Sequence, residues 1–391
     1  MVHTVLLVGG GGREDVLAWK LSQSSKVKQV LVVQGNPLME RHSKVVVLRS
    51  ETSVMGIVSI AKSRQVSLVV IGPEQWIVDG LSDALRREGI LVCAPSLRAA
   101  QLESSKIYSK EFMREFGIPT PESTACYNYQ SALETLSNWP KEQGVVVKVD
   151  GLAGGKGVIV CDSLSDAETA LFQFMQDATI KVKTNRVLLE QRLFGKEVSA
   201  FALLDGDTYR ILGYACDHKP VYDQNKGPNT GGMGTYTPEN WPTAQQRKQI
   251  DSLFQKVVEG MKARGHHYVG ILFAGLMIDG DIVHVLEFNV RMGDPEAQVV
   301  LPTLDEDLFG LLWDTVNGDL KQWPLELRTK GFATHVVMTS RGYPSIGEQP
   351  VETGFPIVFS DKVDQRQLQS ETGSFMVGGV QQQGGHLITS G

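Results

Sequence analysis

The sequence predicts an α/β protein that opens with a parallel, Rossmann-like sheet over roughly its first hundred residues. Three observations predict it. Short, wholly apolar runs recur at residues 5–8, 30–33, 45–48, 68–71 and 90–92, too brief for helices and too continuous for half-exposed strands. Helical spacing through Leu17 and Leu21, and again through Leu81 and Leu85, separates them. Between the first run and the first helix stands a glycine-rich turn, Gly9-Gly10-Gly11-Gly12-Arg13-Glu14.

At 391 residues the chain exceeds one ordinary core, so two to four domains are expected. A hydrophobic content of 42% with 21% charged residues is that of a globular protein, and no window approaches a membrane span. The net charge of −6 gives no reason to expect nucleic acid or an anionic membrane as partner, so any anion site must be built from local cations and backbone amides. Cys93, Cys126, Cys161 and Cys216 fit no metal spacing, and three of them sit beside apolar or small neighbours and read as packing residues in a reducing compartment. The start shows no basic-then-apolar leader, so a cytoplasmic protein is expected.

The glycine turn fails the dinucleotide fingerprint. Glu14 occupies the third glycine position, and the second strand ends in Val33-Gln34-Gly35 without an acid for a ribose diol. The turn can still hold a phosphate on its free amides, or be no more than a tight strand–helix connection. Further on, a helix over residues 103–116 carries Lys106, and Lys148 interrupts an apolar strand at 145–149. Directly after it, Asp150-Gly151-Leu152-Ala153-Gly154-Gly155-Lys156-Gly157-Val158 permits close backbone approach to an anion and brings its own cation. It is not a Walker loop, because Gly157 stands where a Ser or Thr is required. A strand at 186–189 leads to Glu190-Gln191-Arg192-Leu193 and, seven residues after Glu190, Glu197. This spacing could bracket a nucleoside. Asp217-His218-Lys219 then precedes the stretch 227–234, Gly-Pro-Asn-Thr-Gly-Gly-Met-Gly, which reads as a functional loop without secondary structure.

A hairpin over 273–288, turning at Asp279-Gly280-Asp281, delivers Glu287, Asn289 and Arg291. Residues two apart in a strand share a face, so a carboxylate, an amide oxygen and a guanidinium meet at one strand end. Carboxylate and amide oxygens suit Mg²⁺, which takes its remaining ligands from water and nucleotide phosphates, and arginine forks phosphate oxygens. A solvated ion pair is the simpler reading of the same face. Beyond Trp323-Pro324, strands are expected at 333–338, 357–359, 374–377 and 386–389, with no catalytic constellation among them.

Together these segments resemble the ATP-grasp carboxylate–amine ligases, and within them the glycinamide ribonucleotide synthetases. The resemblance rests on Gly72-Pro73-Glu74, the run Ala99 to Lys106, the run Lys148 to Val158, the 227–234 stretch and the run Glu287 to Glu296. It covers nearly the whole chain. It implies ATP and Mg²⁺ or Mn²⁺ as cofactors, with glycine and 5-phosphoribosylamine joined through glycyl phosphate. Lys106, Lys148 and the loop at Gly154, Gly155, Lys156 and Gly157 would hold ATP phosphates. Glu190, Gln191, Arg192 and Leu193 would hold adenine, Glu197 the ribose, and Glu287 and Asn289 the metal. Arg291, Asp217, His218 and Lys219 would be catalytic. Gly11, Gly12, Arg13, Glu14, Gly35, Asn36, Glu74, Asn229, Thr230, Gly231, Gly232, Met233, Gly293, Asp294 and Pro295 would bind the other substrates.

The family pattern further implies an α/β domain over 1–102 for the phosphosugar amine and a central ATP-grasp domain over 103–120 and 188–323. A lid subdomain would cover 121–187 and a small β-rich domain 324–391. The last is expected to be incomplete, because the chain stops at Gly391 where the family continues. A monomer or a dimer is expected. Departures from the pattern gather on the phosphosugar side: Asp15 for His, Pro37-Leu38 for small residues, Gln75-Trp76 after Glu74, Pro220 for a base, Asn225 for an acid and Met292 for an aromatic. They motivate two rival readings, a ligase with an altered amine acceptor and a non-catalytic nucleotide-binding paralogue. An aspartate beside a sugar phosphate would repel it unless screened or turned away.

Overall fold

The structure is a computed structural model that describes residues 2–49, 53–140, 144–154, 156–177, 184–345, 350–358 and 374–390. Its first part alternates strands and helices: β1 His3–Val8, α1 Gly12–Ser22, β2 Val27–Val33, β3 Val45–Leu48, α2 Val54–Ser63, β4 Leu68–Ile71, α3 Glu74–Val78, α4 Leu81–Arg87 and β5 Val92–Cys93. All pairs in this sheet are parallel, in the order β3-β2-β1-β4-β5. Along β1, Leu6 and Val8 face one core while Val5 and Leu7 face another. Burial on both faces is why these strands read as unbroken apolar runs. Val8 pairs with Val33 and with Ile71, so the turns after β1, β2 and β4 share one carboxyl edge. The strand order reverses there, between β1 and β4, the position where open α/β sheets bind ligands.

The next elements are α5 Gln101–Ser104, α6 Lys106–Glu115, β6 Ser123–Cys126, α7 Tyr129–Ser137, β7 Val145–Val149, β8 Val158–Cys161, α8 Leu164–Met175 and β9 Val187–Gln191. Ser105 caps α6 by accepting the Tyr108 N–H at 3.1 Å. The antiparallel sheet β6-β9-β7-β8 packs on α7 and α8 around a core of its own, which includes Val147, Leu171 and Phe174.

A second antiparallel sheet follows, ordered β14-β13-β10-β11-β12-β15. Its strands are β10 Lys196–Asp205, β11 Tyr209–Tyr222, β12 Lys226–Tyr236, β13 Val269–Asp279, β14 Ile282–Asn289 and β15 Thr334–Val336, with α9 Ala244–Ala263, α10 Ala297–Thr303 and α11 Leu308–Asn317 around it. Its two faces extend the cores of the parallel sheet: Ala200 and Leu204 join one, Phe201 and Leu203 the other. A two-stranded ribbon, β16 Val380–Gln383 with β17 His386–Thr389, ends the described chain.

Expectations for four segments change. Residues 227–234 lie in β12, paired irregularly with β11 across register shifts at His218 and Pro220, because the hairpin partner satisfies backbone groups that a lone glycine-rich stretch leaves open. The strand expected at 333–338 is only β15, and it extends the edge of the six-stranded sheet. Residues 374–377 form no strand; their backbone is bonded instead to the side chains of Asp15, Asn36 and Arg41. Of the strand expected at 357–359, Phe359 lies outside the described residues, and Pro356 makes only an isolated bridge to Ile388.

Candidate active site

A cleft of about 960 Å³ opens between the parallel sheet, the four-stranded sheet and the six-stranded sheet. Lys106, Lys148, Gly154, Gly157, Glu190, Gln191, Arg192, Leu193 and Glu197 line it, as do Asp217, His218, Lys219, Glu287, Asn289 and Arg291. Gly155 lies outside the described residues. Lys156 is exposed and does not line the cleft.

At one end Lys148 on β7 pairs with Glu190 Oε1 at 2.5 Å and donates to the Leu286 carbonyl at 3.3 Å. Glu190 Oε2 meets a second cation at 2.5 Å, Lys110 of α6, which also donates to Thr120 Oγ1 at 2.5 Å. Burial pushes the Lys110 ammonium down to about 8 against the pull of Glu190. No sequence motif marks Lys110. Its one signal was the spacing of four from Lys106, which puts both on one helix face. Lys106 donates to the Gly151 carbonyl at 3.1 Å, while Asp150 accepts from Ser105 Oγ and the Ile107 N–H. These bonds hold the glycine loop against the start of α6.

At the strand end the shared face extends beyond the strand itself. β14 stops at Asn289, yet Arg291 still reaches the Asn289 side-chain oxygen at 3.4 Å. Gly275 on β13 lies beneath Glu287, where an added Cβ would come within 3.3 Å of Glu287 Cγ. Burial pushes the Glu287 carboxyl up, but Lys219, Lys106 and Lys148 hold it below the usual carboxylate range. Asn289 Nδ2 is buried without a hydrogen-bond partner among the described residues. Among the described residues no group of three or more His, Cys, Asp or Glu could hold a metal ion. One carboxylate and one amide oxygen fit the low protein-ligand count of Mg²⁺ bound with phosphates and water.

Arg291 is more tightly held than its sequence suggested. Nε meets Glu74 Oε2 at 2.9 Å, Nη2 meets Glu103 Oε1 at 3.0 Å, and Nη1 donates to the Met292 carbonyl at 3.2 Å. Glu103 also accepts the Val290 N–H at 2.6 Å. Desolvation opposes the guanidinium charge, but Glu103 and Glu74 raise its pKa further. Across the cleft Lys219 lies 3.4 Å from Glu197 and 3.8 Å from Asp217.

Of the residues expected to bind the other substrates, Arg13, Glu74, Asn229, Thr230, Gly231 and Asp294 line the cleft. Gly11, Gly12, Glu14, Gly35, Asn36, Gly232, Met233, Gly293 and Pro295 do not. Glu14 is buried inside its own turn, accepting the Gly11 N–H at 2.8 Å and pairing with Arg13. Gly72 exists to admit it: a Cβ there would sit 2.0 Å from Glu14 Oε1. Asn36 is spent on the Gly10 and Val377 carbonyls, each at 2.9 Å. Asp15 points away from the cleft, fully buried between Arg41 at 2.6 Å and His42 at 2.7 Å, and it accepts the Val377 N–H at 2.7 Å. Its charge is therefore screened and turned away. Trp76 donates to Gln34 Oε1 at 3.0 Å, and Met292 is buried.

Comparison with known proteins identifies the family. Residues 3–103 match the phosphoribosylglycinamide synthetase N domain, and residues 104–297 match the ATP-grasp (A) domain of the same synthetase. The chain belongs to the phosphoribosylglycinamide synthetase family. It is 37% identical over 394 residues to a phosphoribosylamine–glycine ligase of Chlorobaculum tepidum, covering 99% of this chain and 89% of that one. It is 40% identical to the human trifunctional purine biosynthetic protein adenosine-3, covering 91% of this chain but 35% of that longer protein. Among solved structures, the phosphoribosylamine–glycine ligase of Thermotoga maritima superposes with a TM-score of 0.83 at 29% identity, over 99% of this chain and 90% of that one. A biotin carboxylase from Campylobacter jejuni, solved as a β,γ-ATP complex, shares the fold alone, with a TM-score of 0.66 at 15% identity over 88% of this chain and 77% of that one.

Proposed function

We infer that this synthetase joins glycine to 5-phosphoribosylamine at the expense of ATP, giving glycinamide ribonucleotide, ADP and phosphate in purine biosynthesis. The observation that carries the reading is the meeting of Lys106, Lys148, Glu287, Asn289 and Arg291 in one cleft of a chain of this family. Lys106 and Lys148 neutralise ATP phosphates, and the loop at 151–157 closes over them. Glu190 to Leu193 takes adenine, and Glu197 leaves Lys219 to take the ribose. Glu287 and Asn289 hold Mg²⁺ or Mn²⁺, which when bound supplies charge neutralisation to the phosphates. Glycine carboxylate then attacks the γ-phosphate to give glycyl phosphate, and the amine displaces phosphate. Positioning and charge do this work, and closure keeps water from the acyl phosphate.

Among the described residues one N–H of Arg291 Nη1 has no acceptor, so Arg291 offers a phosphoryl oxygen one donor rather than a fork. We assign the phosphosugar amine to residues 1–102, ATP to 103–120 and 188–323, the lid to 121–187 and a small β-rich domain to 324–391. The four cysteines, all free and buried, suit the cytoplasm. The test is ADP release with the sugar amine generated in situ. Glycine-dependent release is expected, and no turnover at any Mg²⁺ or Mn²⁺ level would sink the reading. Release that ignores this amine and answers to another would mark an altered acceptor. Tight ATP binding without hydrolysis would mark a paralogue that only binds.

A further inference from the structure

Glu296 is a buried charge on the cleft that the reaction above leaves without a task. It is 3% exposed and lines the cleft. Its Oε1 accepts from Ser199 Oγ on β10 at 3.1 Å, and a Cβ at Gly293 would lie 2.2 Å from its Oε2. The turn that carries it touches both substrate-side elements. A Cβ at Gly232 of β12 would fall 2.3 Å from Pro295 Cδ, and one at Gly11 would fall 3.2 Å from Asp294 Oδ2. Glu296 therefore lies where the strand holding Asn229 to Gly231 meets the first glycine turn, on the same cleft as Glu287.

We propose that Glu296 takes the proton from the amine nucleophile in the second half of the reaction. The proposal rests on the ligase reading. The amine lone pair forms the new bond to the carbonyl carbon of glycyl phosphate. Nitrogen gives one proton to a Glu296 carboxylate oxygen, and the carbon–oxygen bond to phosphate breaks with its electron pair leaving on phosphate. Glu296 then passes the proton to the departing phosphate, and the balance closes without another reactant.

The acids of the cleft nearest to Glu296 in the chain or in charge have other neighbours. Asp294 Oδ1 accepts from Gln298 at 2.6 Å, Asp217 lies beside Lys219, and Glu287 faces the lysines. The charged groups facing Glu296 are Asp217 and Lys219 from β11, with Arg291 beyond the end of β14. Burial and the Asp217 charge outweigh Lys219 and push its carboxyl up to about 7, close to neutral pH, where a general base balances strength against the fraction ionised.

The experiment separates the two half-reactions in Glu296→Gln and Glu296→Asp. The first is read by glycine-dependent positional isotope exchange in ATP labelled at the β,γ-bridge, the second by amide formation. In Glu296→Gln, exchange should stay within about threefold of the parent while amide formation falls on the order of 10²-fold or more, the usual worth of a general base. Glu296→Asp should recover part of that loss. The acid limb of the amide-forming step, near pH 7 in the parent, should disappear in Glu296→Gln. Amide formation at the parental rate, or equal loss of exchange and amide formation in both variants, would overturn the assignment. Absence of glycine-dependent exchange in the parent would instead strike the ligase reading on which it rests.

Discussion

Replacing Arg291 by alanine tests the site through its stability as well as its turnover. The guanidinium lies 2.9 Å from Glu74 and 3.0 Å from Glu103, with the three side chains 16%, 22% and 7% exposed. At an effective dielectric constant near 20, each contact represents about 5 kcal/mol of gross attraction. Most of it is offset by desolvation, but deleting one partner of a buried pair leaves the other charge stranded, at a cost of about 3–5 kcal/mol. Burial already pushes the Glu103 carboxyl up even with Arg291 present. Without Arg291 it rises further, and a carboxyl whose folded pKa exceeds its unfolded value destabilises increasingly as pH climbs from one to the other. Arg291→Ala should therefore melt well below the parent at pH 8 and recover part of the deficit at pH 5. Adding Glu103→Gln should restore much of the loss at pH 8. Melting curves that match the parent at pH 8, or a deficit independent of pH, would refute the caged arginine. With enzyme folded at low temperature, Arg291→Ala should lower turnover more than ATP affinity, and full activity would remove its assigned role.

Other expectations follow from the same geometry. Lys110→Met should raise the KM for ATP and lower the melting temperature modestly, since Lys148 still pairs with Glu190, whereas Glu190→Gln strands two buried ammonium groups and should lower it more. Asn289→Ala should raise the Mg²⁺ concentration needed for half-maximal activity without changing the melting temperature by more than a few degrees. Glu296→Gln should melt above the parent at pH 8 but not at pH 4, because the raised carboxyl costs stability only once the unfolded chain ionises. Asp15→Ala should speed amide exchange at Val377, whose N–H it accepts, and unchanged exchange would show that this contact fastens nothing.

The parallel sheet was legible because strands buried on both faces must be apolar at every position, and five such runs stood in order. The strand end at Glu287, Asn289 and Arg291 was legible because period-two geometry is local, and the structure keeps the three together even past the last paired residue. The family followed from ordered motifs that span almost the whole chain. What the sequence could not give were the contacts that close over long separations. Glu14 and Asp15 looked like residues facing a phosphosugar, yet one fills the space left by Gly72 and the other fastens Val377, 362 positions away. Lys110 lay outside every motif, and Glu103 and Glu296 lay inside motifs without a role of their own. Each acquires its meaning from a partner on another element, Glu190, Arg291 or Asp217, and from exclusion of water around the pair. Local spacing thus determined which side chains share a face. Burial and opposing charge, which exist only once distant segments pack, decided which of them hold the site together and which remain free to act.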